Sequence, residues 1–196
     1  MPKKPRGGDF VTLSTTVTAL EALQIAGVPS NDPLVDAART FVERCQYFAP
    51  QQSNGGFFAV PTNEWRGGKG GTDEAGQKRA YGSATADGLR ALVACGFAVD
   101  HARVVAAANW LRPHRDATRV PGLLPEFEPA LRHYWAASRA RTWHLLGEYL
   151  QPAPPWLLER QRDDGAFVGF SSAMKEDEPV VATVLALFAI VATSKD

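Results

Sequence analysis

Leu157-Leu158-Glu159-Arg160-Gln161-Arg162-Asp163-Asp164-Gly165-Ala166-Phe167 reads as a helix end, a glutamine, and then an acidic residue, a glycine and an aromatic in close order. The same order occurs earlier: Phe41-Val42-Glu43-Arg44-Cys45-Gln46, a loop, then Asn54-Gly55-Gly56-Phe57. A grammar that returns within one chain points to a repeat architecture, in which each unit buries its apolar face on the next. The parts have physical roles. Gln46 and Gln161 can bond backbone groups left open at a helix end. Gly55 and Gly165, preceded by Asn54 and by Asp164, take a conformation barred to other residues. Phe57 and Phe167 then pack under the turn.

Outward from these corners the chain reads as alternating helices. Leu13 to Ala26 carries Val17, Leu20, Leu23 and Ile25 with alanines between them, which predicts a helix buried over much of its surface. Ser14, Thr15 and Thr16 offer N-cap oxygens, and Gly27 ends the helix. Asp32-Pro33 opens a second helix that runs to about Gln46. Ser83 to Cys95, closed by Gly96, pairs with a helix that opens at Asp100 or His101 and stops at Arg112-Pro113. Leu131 to Leu146, closed by Gly147, pairs with a short helix from Trp156 to Gln161. Val180 to Ala192 is a last, strongly apolar helix, predicted to be fully buried, and its partner is missing. The odd helices are Ala-rich and suit an inner layer; the even ones are amphipathic and suit an outer layer. The expectation is an all-α array of helical hairpins, about seven helices, forming one domain over 11–196 behind a disordered tail at 1–10. The Gly-rich loop at 59–80 interrupts it, and a loop of that length reads as functional or mobile.

Bulk properties narrow the function classes. Of 196 residues, 45% are apolar and 21% charged, as in an ordinary globular protein. Lys plus Arg equals Asp plus Glu, so nothing suggests a general attraction to nucleic acid. Cys45 and Cys95 lie in apolar helical contexts without metal or redox spacing, which predicts buried thiols and a cytoplasmic setting. The run from Val180 to Thr193 is shorter than the ~20 residues of a bilayer span, although peripheral membrane contact is compatible with it.

Gln161-Arg162-Asp163-Asp164-Gly165-Ala166-Phe167, Asn54-Gly55-Gly56-Phe57 and Tyr81-Gly82-Ser83-Ala84-Thr85-Ala86-Asp87-Gly88-Leu89-Arg90-Ala91-Leu92 carry a family resemblance. Over roughly Leu13 to Thr193 the chain resembles the squalene–hopene cyclase and protein-prenyltransferase β-subunit repeat superfamily. The resemblance implies an α/α toroid, here a partial one, since the family's rings hold more helices than this chain offers. It also implies a homo-oligomer or a partner chain that covers the open end of the array. Phe167 stands where the cyclase pattern has Trp, and Tyr47 to Ser53 is an insertion in the first corner.

The resemblance further implies where chemistry would sit. Cyclases protonate an isoprenoid with the middle Asp of an Asp-x-Asp-Asp motif ahead of an inner helix. Glu176 falls at that position and Asp177 follows it, while Met174 replaces the first Asp. The alternative role for these acids is to stabilise a helix N-terminus. Tyr81, Asp87, His133, Tyr134 and Trp135 are the candidate lining of a cavity for an isoprenoid or other apolar ligand, and core packing is the competing account. Ser83 lies beside Tyr81 and reads equally as a capping residue. The prenyltransferase zinc motif Asp-x-Cys is missing and the four histidines lack ligand spacing, so no metal or cofactor is expected. Gly67-Gly68-Lys69-Gly70-Gly71-Thr72 does not meet the phosphate-loop spacing and reads as a flap over one rim. Two functions follow: a non-catalytic module that binds an apolar ligand or a protein, or a terpenoid cyclase isomerase completed by a second chain.

Overall fold

The computed structural model describes residues 11–48, 54–61, 68–115, 118–148 and 152–193. The predicted tail at 1–10, part of the Tyr47 to Ser53 insertion, and Trp65 and Gly67 of the Gly-rich loop lie outside the described residues. The chain is all-α. Its helices are α1 (Leu13–Ile25), α2 (Pro33–Arg44), α3 (Gly82–Ala94), α4 (Ala102–Leu111), α5 (Arg132–Leu145), α6 (Pro155–Leu158) and α7 (Pro179–Val191). Shorter 3-10 turns occupy Gly68–Gly70, Arg112–His114 and Pro125–Ala130. Among the described residues the only β pairing is isolated bridges, two of which sit in the repeat corners.

The odd helices pack side by side in chain order: α1 on α3, α3 on α5, α5 on α7. Helix α2 lies against α1 and α3, and α4 lies against α3. Helix α3 is therefore covered on every side, and all of its residues but Val93 are buried. Its small residues permit this. An added Cβ at Gly88 would collide with the ring of Phe57, which the first corner tucks against the helix.

At their matching described residues the two corners make the same hydrogen bonds. Gln46 Nε2 donates to Gly55 O at 3.2 Å, and Gln161 Nε2 donates to Gly165 O at 3.0 Å. Asn54 Oδ1 accepts from Gly56 N, and Asp164 Oδ1 accepts from Ala166 N. Gly55 and Gly165 have φ of 78° and 84°, the left-handed region that favours glycine. Phe57 N donates to Thr85 Oγ1 of α3 at 3.0 Å, and Phe167 N donates to Thr183 Oγ1 of α7 at 2.9 Å. Each corner thus ties its aromatic residue to the inner helix that follows. Both Phe57 and Phe167 are buried.

Four local expectations are corrected. The N-cap of α1 is Thr12, which exchanges hydrogen bonds with Thr15, rather than Ser14, Thr15 or Thr16. Helix α1 buries only Leu13, Val17 and Leu20; its other face, including Ile25, is exposed, since among the described helices only α2 and α3 pack closely on it. Helix α6 is a single turn, Pro155–Leu158, and Arg160 and Gln161 already belong to the corner.

The largest correction concerns α7, which is buried on one face only. Ala182, Ala186 and Ala189 press against α5. Val180, Val184, Leu187 and Val191 are 78%, 46%, 50% and 69% exposed. Alanines allow the close approach to α5, and no described element covers the opposite face. No helix among the described residues is long and apolar enough to cross a membrane.

Candidate functional site

Helices α1, α3 and α5 begin at the same end of the layer. Their first turns enclose a cavity of about 200 Å³, lined by Thr12, Ser14, Tyr81, Ser83, Ala84 and Tyr134, with Lys69, Asp87 and Met174 completing it. Lys69 comes from the 3-10 turn Gly68–Gly70, which brings the predicted flap over this end of the helices. An added Cβ at Gly70 would meet the Tyr81 ring at 3.0 Å. Burial lowers the pKa of the Lys69 ammonium, and the nearby Asp87 opposes that shift.

Asp87 is the hub of a buried polar network. Its Oδ2 accepts from Tyr134 Oη at 2.7 Å, and its Oδ1 accepts from Ser138 Oγ at 2.6 Å and Arg90 Nη2 at 3.0 Å. Arg90 Nε lies 3.5 Å from Glu21 Oε1, and Glu21 Oε2 accepts from Arg141 Nη2 at 2.7 Å. Three helices are stitched together by these contacts: α1 through Glu21, α3 through Asp87 and Arg90, and α5 through Tyr134, Ser138 and Arg141. Burial pushes the Asp87 carboxyl above its ordinary value, with Arg90 and the hydrogen bonds from Ser138 and Tyr134 pulling the other way.

On the far side of this network lies a groove of about 300 Å³. Helix α1 supplies Ala22 and Ile25, α7 supplies Leu185 and Phe188, and Arg90, Ser138 and Arg141 form the floor. Arg90 is buried, and its Nη1 has no hydrogen-bond partner among the described residues. Tyr134 lines both the groove and the cavity.

The residues selected from the sequence divide. Tyr81, Asp87 and Tyr134 meet at the cavity. Trp135 is buried in the core beneath Gly82, where an added Cβ would touch its ring at 3.0 Å. His133 is fully buried in a different cluster, with ring centroids 5.4 Å from Trp156 and 6.0 Å from Phe170. Lys69, Arg90, Glu21 and Ser138 were not selected. A signal existed for Arg90, which stands three residues after Asp87 and so on the same helix face. Lys69, Glu21 and Ser138 join the site only through tertiary contacts. Ser83 makes no capping hydrogen bond; the N-cap position belongs to Tyr81.

The two candidate acids also part. Glu176 is buried, and its carboxylate accepts from Tyr134 N at 2.8 Å and His133 N at 3.1 Å, with His133 Nδ1 3.4 Å away. It therefore caps a helix N-terminus, but that of α5 rather than α7, the helix it precedes. The loop is shaped for this. Lys175 has a φ of 63°, and Gly169, which donates to Glu176 O, sits so close that a side chain there would collide with it. Asp177 is exposed. The thiols of Cys45 and Cys95 are buried and unpaired, and burial pushes them up to about 12 and about 11, which makes them poor nucleophiles. No group of three or more His, Cys, Asp or Glu among the described residues could hold a metal.

These features define an all-α array of helices whose odd members share one layer, with a polar network at its centre. Comparisons with family models, with curated proteins and with solved structures found no match to the chain.

Proposed function

We propose that the chain is a non-catalytic binding module of the squalene–hopene cyclase and prenyltransferase repeat kind: a partial α/α toroid whose open end is covered by a second copy of the same chain. The observation that carries the reading is the outer face of α7. Val180, Val184, Leu187 and Val191 follow one another at spacings of four, three and four, the seam of a helix made to pack on another helix. The stripe bears no charge, so two copies can meet across a twofold axis without like charges opposing. Kinship with the toroid family is supported by the two matching corners and by odd helices packed in chain order. Commitment of Glu176 to the α5 N-terminus favours binding over acid catalysis. Analytical ultracentrifugation of the purified chain should give a dimer, and the double change Val184→Lys, Leu187→Lys should give a folded monomer. A parent chain that sediments as a monomer and does not enhance ANS fluorescence would sink the proposal.

A second reading has its own observation, the groove between α1 and α7 with Ala22, Ile25, Leu185 and Phe188 on its walls. Its occupant is an apolar ligand, an isoprenoid in the family's manner. Native mass spectrometry after expression in an isoprenoid-rich host tests it: a retained hydrocarbon mass supports the reading, and a bare chain argues against it.

A further inference from the structure

Two helix N-termini in the same layer are treated differently. In α5 the second and third residues, His133 and Tyr134, donate their N–H groups to the Glu176 carboxylate. In α3 the equivalent residues are Ser83 and Ala84. Their N–H groups have no acceptor among the described residues, although Gly82 N before them donates to Pro121 O at 2.7 Å. Ser83 and Ala84 are each only 3% exposed and both line the cavity, so whatever satisfies these two donors must enter it. A buried N–H without a partner is costly, and a helix N-terminus favours negative charge.

The side chains around this turn point the same way. Ser83 and Tyr81, the latter 4% exposed, line the cavity, and their hydroxyls make no hydrogen bond among the described residues. Lys69 brings a cation to the same space. Asp87 also lines it, but its oxygens are occupied by Tyr134, Ser138 and Arg90, and Arg90 offsets its charge.

We propose that the cavity at the start of α3 binds a small carboxylate, held by the N–H groups of Ser83 and Ala84, the hydroxyls of Ser83 and Tyr81, and the ammonium of Lys69. The Glu176 carboxylate on α5 is the precedent within the molecule, and at α3 the ligand takes the place that Glu176 takes there. A volume of about 200 Å³ sets the scale of the guest at that of a small organic acid. The inference is independent of the pairing of α7: a monomer that binds carboxylate loses the one and keeps the other.

The test is an amide NMR titration of the full chain with acetate, pyruvate, succinate and benzoate, with inorganic phosphate and chloride as controls. The expected result is saturable movement of the Ser83 and Ala84 amides with at least one carboxylate. Lys69→Gln and Ser83→Ala should each weaken that binding about tenfold, as expected for loss of one strong polar contact. Both variants should melt as the ligand-free parent does. Ser83→Asp, which sets a carboxylate on the first turn itself, should abolish binding and raise the melting temperature. The proposal is overturned if none of the four carboxylates moves these amides, if phosphate or chloride moves them equally well, or if Lys69→Gln leaves the affinity unchanged.

Discussion

Both hydrogen bonds accepted by the Glu176 carboxylate come from backbone N–H groups of α5, which makes one side chain the link between the 169–178 loop and the first turn of another helix. Replacing it with alanine leaves two buried donors unpaired. Glu176→Ala should lower stability by about 2–3 kcal/mol, and Glu176→Gln by less, since an amide oxygen still accepts. Urea denaturation measures the difference, and an unchanged midpoint would mean that water fills the gap. Gly88 is a second such residue. It lies in the middle of α3, where alanine would raise helix propensity, yet the Phe57 ring occupies the space a Cβ needs. Gly88→Ala should therefore destabilise by about 1–3 kcal/mol despite the better helix former. A gain in stability would show that Phe57 can swing away at no cost. The sequence suggests that Glu176 serves a helix N-terminus but does not show which one, and it does not show the contact of Gly88 with Phe57, because the partners lie far along the chain: 42 and 43 residues for the contacts of Glu176 with Tyr134 and His133.

At the scale of the element, α7 shows how an apolar run can mislead. Its composition predicts a helix buried all round, but the alanines and the larger aliphatics fall on opposite faces, and only the alanine face meets α5. Ala186→Leu would force the two helices apart and should cost about 1–3 kcal/mol. By contrast, Val184→Lys should change the stability of the monomer by less than about 0.5 kcal/mol, because the site is half exposed. Thermal melts at low protein concentration separate the two cases, and equal losses would mean that the outer face is covered within the chain. The starts of α2 and α4 follow their local sequence. Asp32 accepts from Leu34 N at 2.8 Å and His101 accepts from Arg103 N at 3.2 Å, each at a predicted helix start. Capping is a local interaction, so local sequence reports it.

For the whole molecule, the Asp87 network joins α1, α3 and α5 and should leave a mark on pH dependence. Burial raises the Asp87 carboxyl above its ordinary 3.8, so the folded chain holds that proton more tightly than the unfolded chain does. Its favourable contribution is fully present below the unfolded value and is lost as pH rises through the folded one. The stability of the parent minus that of Asp87→Asn should accordingly fall as pH rises from 3.8. Unfolding curves at a series of pH values give this difference, and a flat one would mean that Arg90, Ser138 and Tyr134 cancel the effect of burial. Glu128, also raised by burial, is common to both proteins and drops out.

Local sequence was enough for the all-α class, the order and approximate bounds of the helices, and the glutamine, glycine and aromatic positions of both corners. Each of these rests on interactions a few residues in reach: helix periodicity, caps, a glutamine closing onto its own turn, a glycine at positive φ. Of the five residues the sequence suggests for a cavity, Tyr81, Asp87 and Tyr134 border one, while His133 and Trp135 lie elsewhere. Tertiary packing alone settled the use of charge and the choice of faces: Glu176 on a helix it does not precede, Lys69 folded back over α3, Arg90 held between Asp87 and Glu21, and the outer stripe of α7 left bare. Those outcomes depend on which helix ends and faces the packing brings together. A carboxylate carries no local mark of the helix it will cap, and an apolar helix carries none of whether both its sides will find a neighbour.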